Sequence, residues 1–235
     1  MSQKEYVIIV AGGKGTRLKS MLPKQFIELN GTPVLIHTLN AFYKYSSSIN
    51  VILVLPEDDF TLWDSIIVKH SFSQPVILQK GGNTRFQSVK NGLEKISGHG
   101  LVAIHDGVRP LVSTDIIAES FRVAAIKRTA VASVKLKESI RVVDSHSRDS
   151  MADIPEDTKA VDRSRFRLIQ TPQTFDIDLI KNAYQMKEDP SLTDDASVVE
   201  KLGQAIILFE GSYENIKITT SEDLIIAEAL LKKKS

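Results

Sequence analysis

Residues 6–17 read Tyr6-Val-Ile-Ile-Val-Ala-Gly-Gly-Lys-Gly-Thr-Arg17, a short aliphatic run that passes directly into a glycine-rich loop. The run Tyr6–Val10 predicts a buried β-strand, because it is short, largely β-branched and bounded by a turn signal. Glycines leave backbone N–H groups accessible and permit positive φ angles. The loop that follows is therefore a candidate binding site for a phosphate group.

The same order, a short apolar run and then a longer amphipathic segment, recurs along the first 135 residues. The predicted strands are Tyr6–Val10, Val51–Leu55, Val76–Leu78, Leu101–Ile104 and Ala130–Val134. The predicted helices between them are Val34–Tyr45, Asp58–His70, Thr84–Ile96 and Ser113–Lys127. This alternation predicts an α/β fold with a mostly parallel sheet, helices on both faces, and ligands at the carboxyl ends of the strands. The last predicted elements are helices near Asp176–Met186 and Thr193–Leu202, a strand at Ala205–Phe209 and a helix over Ser221–Leu231.

Residues 135–165 interrupt this alternation. Lys135–Val143 alternates polar and apolar residues, as an exposed strand does, and the polar stretch Asp144–Lys159 follows it. We predict a single domain over residues 1–235 that carries a projecting hairpin arm at about 136–162. A lone hairpin has too little core to be stable in water, so we expect the arm to pack on a second subunit.

Composition excludes several classes of protein. The chain has 235 residues, of which 42% are hydrophobic and 25% charged, and its formal net charge is +1. That balance disfavours a general nucleic-acid or anionic-membrane binder. The absence of cysteine excludes disulfides, zinc–thiolate sites and cysteine nucleophiles. Since no apolar run reaches membrane-spanning length, we expect a cytoplasmic protein with no membrane or nucleic-acid partner.

The first loop fits neither of two familiar nucleotide-binding templates. A P-loop needs serine or threonine where Gly15 stands, and the dinucleotide fingerprint needs glycine where Leu18 stands. A flexible turn is the alternative interpretation of an isolated glycine cluster. Two cations close behind the glycines, Arg17 and Lys24, favour a site for a polyphosphate, although an isolated Lys24 would be interpreted as a surface lysine.

The loop after the third predicted strand is Gly81-Gly-Asn-Thr-Arg85, which opens a helix capped by Asn83 or Thr84. Its backbone groups can bind an anion or the edge of a base, and Ser88 lies one turn into the helix. A simple capped turn is the alternative interpretation.

The loop after the fourth predicted strand is His105-Asp-Gly-Val-Arg-Pro110. Asp106 at a strand end suits Mg²⁺, which prefers oxygen ligands and substrate phosphates. Arg109 can bind a phosphate through two hydrogen bonds, and a local ion pair with Asp106 is the alternative. Farther along the chain, Lys217 lies in an apolar and hydroxyl-rich stretch that suits a partly buried lysine facing a substrate. Gln170–Gln173 fits an ordinary turn or a short strand.

Seven segments in this order resemble one known family. They are Ala11–Arg17, Pro23–Gln25, His105–Pro110, Val161–Arg163, Gln170–Gln173, Thr193–Ser197 and Asn215–Thr220. The set resembles the 2-C-methyl-D-erythritol 4-phosphate cytidylyltransferase family of the non-mevalonate isoprenoid pathway. The resemblance implies a nucleotidyltransferase-type, Rossmann-like fold and a homodimer held by the arm. It also implies transfer of CMP from CTP to a polyol phosphate, with Mg²⁺ or another divalent cation and with release of pyrophosphate.

The resemblance further implies a role for each matching residue. Expected nucleotide contacts are Ala11, Gly12, Gly13, Gly15, Gly82, Asn83, Ser88 and Asp106. The expected catalytic cations are Arg17, Lys24 and Lys217, and Asp106 is the expected magnesium ligand. Expected contacts to the polyol phosphate are Arg109, Thr171 and Lys217 of the same subunit, with Ser139 and Arg163 of the partner subunit. Ser139 stands where relatives often have threonine, a change that keeps the hydroxyl.

Three other functions compete with this interpretation. A ribitol-5-phosphate cytidylyltransferase shares the loops and the reaction, but that family more often has serine where Gly107 stands. A non-catalytic nucleotide-binding regulator is disfavoured because the chain keeps Arg17, Lys24, Asp106 and Lys217. An NAD-dependent oxidoreductase is disfavoured by Leu18. Since a phosphate monoester is already largely deprotonated near neutral pH, we expect no role for His105 as a base.

Overall fold

The computed structural model describes residues 3–12, 22–143 and 158–234. Three predicted site residues, Gly13, Gly15 and Arg17, lie outside the described residues, as does the central part of the predicted arm, residues 144–157. The remaining predicted site residues are all described.

Strands and helices alternate through the first half of the described chain, as predicted. The strands are β1 (Glu5–Val10), β2 (Glu28–Leu29), β3 (Thr32–Pro33), β4 (Asn50–Leu55), β5 (Ile77–Lys80), β6 (Leu101–Asp106), β7 (Thr129–Lys135), β8 (Ile140–Val143), β9 (Thr158–Val161), β10 (Arg167–Asp176) and β11 (Leu208–Glu210). The helices are α1 (Val34–Tyr45), α2 (Phe60–Lys69), α3 (Arg85–Glu94), α4 (Thr114–Lys127), α5 (Ile177–Ala183), α6 (Asp195–Glu200) and α7 (Ser221–Lys234). None of these helices has the length and apolar character needed to span a bilayer.

The main sheet of the described chain has seven strands in the order β11-β7-β10-β6-β1-β4-β5. Strand β1 lies between β4 and β6 and is parallel to both, and β5 continues the parallel set at one edge. Strand β10 runs antiparallel to its two neighbours, β6 and β7. The mostly parallel sheet predicted from the sequence is therefore confirmed.

Helices cover both faces of this sheet. In β1, Val7 and Ile9 point into a core that includes side chains of α1, α2 and α4. Tyr6 and Ile8 point into a second core with side chains of α3, α5 and α6. A strand buried on both faces is apolar at every position rather than at alternate ones, which is why β1 is an unbroken apolar run in the sequence.

The second half of the chain departs from prediction at several boundaries. Strand β10 extends over ten residues and includes Gln170–Gln173, which the sequence left open as a turn or a short strand. Helices α5 and α6 are shorter than predicted, β11 starts at Leu208 and α7 continues to Lys234. Gln170 and Gln173 of β10 are buried and hydrogen-bonded to residues far away in the chain, Ser212 and Ala196, and a local sequence pattern carries no sign of those partners.

The predicted arm coincides with a separate two-stranded antiparallel sheet. Strand β8 pairs with β9, from Ile140 opposite Val161 to Val143 opposite Thr158. Side chains on it, including Val142 and Val143, are about half exposed. The hairpin pairing lies where it was expected, and its role between subunits stays a prediction.

Candidate active site

The loops that follow the parallel strands meet at one edge of the sheet, because parallel strands end on the same side. Hydrogen bonds continue the sheet a residue beyond the strand ends and fix these loops. The Ala11 N–H donates to the Val54 carbonyl at 3.0 Å, and the Gly107 N–H donates to the Val10 carbonyl at 2.9 Å. The Gly81 N–H likewise donates to the Leu55 carbonyl at 2.8 Å, so the loops after β1, β5 and β6 are held side by side.

These loops enclose a cavity of about 230 Å³, which we call the first cavity. Eight of its lining residues are predicted site residues: Ala11, Gly12, Lys24, Gly82, Asn83, Ser88, Asp106 and Lys217. The rest of the described lining is Val10, Gln25, Thr84, Arg85 and Val108. Segments more than 200 positions apart in the chain, from Ala11 to Lys217, are thus brought to one cavity.

The start of α3 forms part of the wall of the first cavity. Of the two caps that the sequence allowed, Thr84 is the one used, since its Oγ1 accepts from the Gln87 N–H at 3.1 Å. The Ser88 hydroxyl donates to the Thr84 carbonyl and accepts from the Gly82 N–H, which ties the glycine loop to the helix. A Cβ at position 82 would lie 2.3 Å from the Gln87 Cβ, so the loop can pass this close to the helix only with glycine there.

A second cavity of about 280 Å³ adjoins the first. Its described lining is Arg85, Asp106, Arg109, Ile169, Gln170, Thr171, Gln173, Thr193, Asp194 and Lys217. It therefore contains the three acceptor contacts that were expected from the same subunit. Three described residues, Arg85, Asp106 and Lys217, line both cavities and form the boundary between them.

A cluster of charges lies at this boundary. Asp106 Oδ2 accepts from Arg109 Nε at 3.0 Å and lies 3.2 Å from Lys217 Nζ. Burial by itself would raise the pKa of Asp106, but Lys217, Arg109 and Arg85 outweigh it and hold that pKa well below its ordinary value. Asp106 is therefore an anion at neutral pH. Arg109 makes the local ion pair that the sequence offered as an alternative, and it also lines the second cavity.

His105 precedes Asp106 but lies on the other side of β6. Its ring is fully buried and packs edge-on against Phe42 of α1, with ring centroids 5.1 Å apart. Burial lowers the pKa of His105 to about 3, so the ring is neutral at physiological pH. A buried neutral ring turned away from both cavities is not placed to act as a base.

The described residues suit a divalent cation that is bound together with a substrate phosphate. The described residues contain no group of three or more histidine, aspartate or glutamate side chains that could hold a metal ion. They do provide one ionised carboxylate, that of Asp106, on the boundary of both cavities. Mg²⁺ in phosphate-transferring sites is commonly held by one or two carboxylates together with substrate phosphates and water. The residues present therefore fit a cation that arrives with a polyphosphate.

Two of the predicted site residues that the structure describes are not brought to the cavities of this chain. Ser139 and Arg163 are both exposed and belong to the lining of neither cavity. Arg163 lies in a short 3-10 turn after β9, and its guanidinium donates to the carbonyl of Lys137. Both residues flank the β8–β9 hairpin.

Sequence reasoning missed Arg85, which lines both cavities. Arg85 is the first residue of α3, and its Nη1 and Nη2 donate to the two carboxylate oxygens of Asp195 at 2.8 and 2.5 Å. A cation in the first turn of a helix opposes the helix dipole. That unfavourable position was the signal in the sequence that could have singled it out.

Comparisons with known proteins agree on one family. The family model described as "IspD: 2-C-methyl-D-erythritol 4-phosphate cytidylyltransferase" matches residues 6–233. The chain is 45% identical over 224 residues to the 2-C-methyl-D-erythritol 4-phosphate cytidylyltransferase of Bacteroides fragilis, covering 95% of this chain and 98% of that protein. The enzyme of the same name from Bacteroides thetaiotaomicron is 45% identical over 228 residues, covering 97% of this chain and all of that protein.

Solved structures give the same result for the fold. A crystal structure of 4-diphosphocytidyl-2C-methyl-D-erythritol synthase from Anaerococcus prevotii superposes with a TM-score of 0.80 at 29% identity, covering 98% of this chain and 96% of that one. The 2-C-methyl-D-erythritol 4-phosphate cytidylyltransferase of Francisella tularensis superposes with a TM-score of 0.77 at 29% identity, covering 96% and 99%.

Proposed function

This chain belongs to the 2-C-methyl-D-erythritol 4-phosphate cytidylyltransferase family, and we propose that its two adjoining cavities hold the two substrates of that reaction. The protein is a nucleotidyltransferase that transfers CMP from CTP to 2-C-methyl-D-erythritol 4-phosphate in isoprenoid synthesis. We assign CTP to the first cavity and the polyol phosphate to the second.

The observation that carries this assignment is the shared boundary. Asp106 and Lys217 line both cavities, so a triphosphate in one and a phosphate in the other would meet beside the same ion pair. Holding two reactants in contact converts a bimolecular reaction into an effectively unimolecular one. The boundary is therefore the expected place of the transfer.

The reaction at that place is a single displacement. An oxygen of the acceptor phosphate attacks the α-phosphorus of CTP, a new P–O bond forms, and the bond to the bridging oxygen of the β-phosphate breaks to release pyrophosphate. The attacking phosphate needs no proton removed, since its second pKa is about 6. The protein supplies position and positive charge rather than a base or a covalent intermediate.

Lys24 and Lys217 are the described cations assigned to this charge, with Arg17 assigned by the family resemblance. Lys24 lies in the short turn Lys24–Phe26, directly after Pro23. The turn is anchored by buried Gln25, whose Nε2 donates to Asp59 Oδ2 at 3.0 Å. A lysine on an anchored turn loses less freedom when it contacts the triphosphate, which favours its use in the transition state.

The glycine loops are assigned to the nucleotide. Gly12 and Gly82 line the first cavity without a side chain to fill it, while Asn83 and Ser88 line it at the start of α3. Backbone groups of this kind can hydrogen-bond the edge of a pyrimidine. We assign the cytosine to the α3 end and the triphosphate to the end near Lys24 and Lys217.

Mg²⁺ is a further part of the proposal. Asp106 would hold the cation together with phosphate oxygens of CTP. When bound, the cation would neutralise charge on the triphosphate and so favour the departure of pyrophosphate.

We also propose that the working enzyme is a homodimer in which the β8–β9 arm completes the partner's site. Large apolar side chains are partly exposed on and near the arm, among them Val142, Val143, Phe166 and Leu168. Ser139 and Arg163 lie at the base of the same arm, outside the cavities of their own chain. Both observations favour a second copy of the chain as the occupant of this surface.

The acceptor assignment is tested by substrate choice. CTP and Mg²⁺ are supplied with either 2-C-methyl-D-erythritol 4-phosphate or ribitol 5-phosphate, and pyrophosphate release is followed, with a reaction lacking acceptor as control. We expect rapid release with the first acceptor and much less with the second. A Cβ at position 107 would lie 2.7 Å from the Ala11 Cβ, so this chain has no room for the serine more common in the ribitol enzymes. The reverse ranking would refute the acceptor assignment, and no release with either would refute catalysis.

A further inference from the structure

Arg85 shares the boundary between the cavities with Asp106 and Lys217, yet the proposed reaction gives it no task. Its guanidinium makes a two-point ion pair with Asp195, and its side chain is 31% exposed. A guanidinium has five N–H donors in one plane, and this pair uses two of them. The remaining exposed part of the side chain faces the two cavities that it lines.

The partner of Arg85 is held in turn. Asp195 is fully buried at the start of α6, and its Oδ1 also accepts from the hydroxyl of buried Tyr184 at 2.6 Å. The same helix start is capped by Asp194, whose side chain accepts from the Ser197 N–H. Asp195 therefore accepts hydrogen bonds at both carboxylate oxygens, and this arrangement orients Arg85.

Stability alone does not account for such an arrangement. An ion pair with a buried member is seldom better than well-packed apolar side chains of similar volume, because the buried charge must leave water. What an ion pair with a buried carboxylate does provide is a guanidinium of fixed direction. Fixed donors that need no rearrangement are the groups most effective against charge that develops during a reaction.

We propose that Arg85 is a further catalytic residue, which binds the transferring phosphoryl group at the boundary of the cavities. Asp195 and Tyr184 are then its positioning residues. This role rests on the proposed function. The α-phosphorus gains negative charge as the acceptor oxygen adds to it and before pyrophosphate departs. A planar guanidinium matches two phosphate oxygens at once, which an ammonium group cannot do. Arg85 would thus complement Lys24 and Lys217 rather than duplicate them.

The helix that carries Asp195 also shapes the second cavity. Asp194 lines that cavity and accepts from Gln173 Nε2 at 2.9 Å, while Gln173 Oε1 accepts from the Ala196 N–H at 2.8 Å. Arg85 is the first residue of α3 and directly follows Gly82–Thr84, which line the first cavity. The Arg85–Asp195 pair therefore joins the wall of one substrate cavity to the wall of the other.

The test measures kcat and both KM values for Arg85→Gln, Arg85→Lys, Asp195→Asn and Tyr184→Phe. Arg122→Gln is the matched control, since Arg122 makes a similar two-point pair with exposed Glu119 on α4. We expect Arg85→Gln to lower kcat about 100- to 1,000-fold, the usual cost of losing one donor to developing charge. We expect both KM values to change less than about threefold, since the loss is in the transition state. The control should retain wild-type kcat.

A double-mutant cycle tests whether Asp195 acts through Arg85. Asp195→Asn should lower kcat in the wild-type background and add almost nothing in the Arg85→Gln background. Arg85→Lys keeps the charge, so a merely structural pair would retain wild-type kcat, whereas we expect kcat to stay at least about tenfold low. This second variant decides the question if Arg85→Gln melts at a much lower temperature.

The outcomes separate this inference from the function on which it rests. Wild-type protein that releases no pyrophosphate would refute the proposed function. Wild-type turnover with near-normal kcat in Arg85→Gln or Arg85→Lys would overturn the role of Arg85 alone. If kcat of the double variant falls by the product of the two single-variant factors, Asp195 does not act through Arg85, and its positioning role is overturned.

Discussion

Replacing Lys217 by glutamine separates the catalytic use of a charge from its contribution to folding. The Lys217 Nζ lies 3.2 Å from Asp106 Oδ2, and the lysine side chain is 43% exposed. Solvent screens the half-exposed ammonium, and Arg109 still pairs with Asp106 when Lys217 is removed, so the loss should cost only about 0–1 kcal/mol of folding free energy. In a chain of this size that is a fall in Tm of at most about 2–4 °C.

The expected effect on catalysis is far larger. The ammonium lies on the boundary of both cavities, where charge would build up on the transferred phosphoryl group. Removing one preorganised donor from such a place usually lowers kcat about 100- to 1,000-fold, or about 2.7–4 kcal/mol. We therefore expect Lys217→Gln to lose several times more free energy in the transition state than in folding.

The assay is continuous measurement of pyrophosphate release with both substrates saturating, together with thermal unfolding of the same samples. Lys69→Gln is the control, because Lys69 makes an exposed ion pair with Glu28 at 2.7 Å, away from both cavities. The control should keep both kcat and Tm. A Lys217→Gln kcat within about threefold of wild type, or a Tm fall large enough to explain the lost activity, would refute this reasoning.

Three more predictions follow from the same geometry. Asp106→Asn removes the anion that pairs with buried positive charge and should lower the free energy of unfolding by about 3 kcal/mol or more. Because the pKa of Asp106 is depressed in the folded state, the difference in unfolding free energy between wild type and variant, measured with urea, should be full above about pH 4 and shrink at lower pH. A difference that is unchanged at pH 2 would contradict the ion-pair explanation. Gly82→Ala puts a Cβ 2.3 Å from the Gln87 Cβ, so the variant should raise KM for CTP about tenfold while KM for the acceptor stays near normal. Equal effects on the two KM values would argue against the cavity assignment. Subunit exchange between inactive Arg163→Ala and Lys24→Ala proteins should restore part of the activity through mixed sites, and confirmed exchange without recovery would rule out a site shared between chains.

The sequence predicted the part of the fold that depends on local pattern. Runs such as Val51–Leu55 are apolar at every position because both faces of the strand are buried, and that signature does not depend on distant partners. Strand β10 has no such signature. Its Gln170 and Gln173 are buried only because they bond to Ser212 and Ala196, which lie far away in the chain. Polar residues with remote partners resemble a turn when the sequence alone is considered.

The same distinction applies to the site. Gly82 and Asp106 could be predicted as candidates, because loops that follow strands are where an α/β fold binds its ligands, and both residues do line the first cavity. Arg85 was not found, because its role depends on Asp195, 110 positions later, and on a boundary between cavities that exists only in the folded chain. A cation at the first position of a helix is a weak signal by itself, and it gains meaning once its buried partner is known.

The central claim is that the two substrates meet at the boundary formed by Asp106, Lys217 and Arg85. It is tested most directly by a crystal structure of the protein with Mg²⁺, the acceptor and a CTP analogue whose α–β bridging oxygen is replaced by a methylene group. We expect cytosine beside Gly82, the acceptor phosphate beside Arg109, and an acceptor oxygen about 3–3.5 Å from the α-phosphorus, in line with the methylene bridge. Substrates bound with their phosphates in separate places, or both in one cavity, would contradict the account.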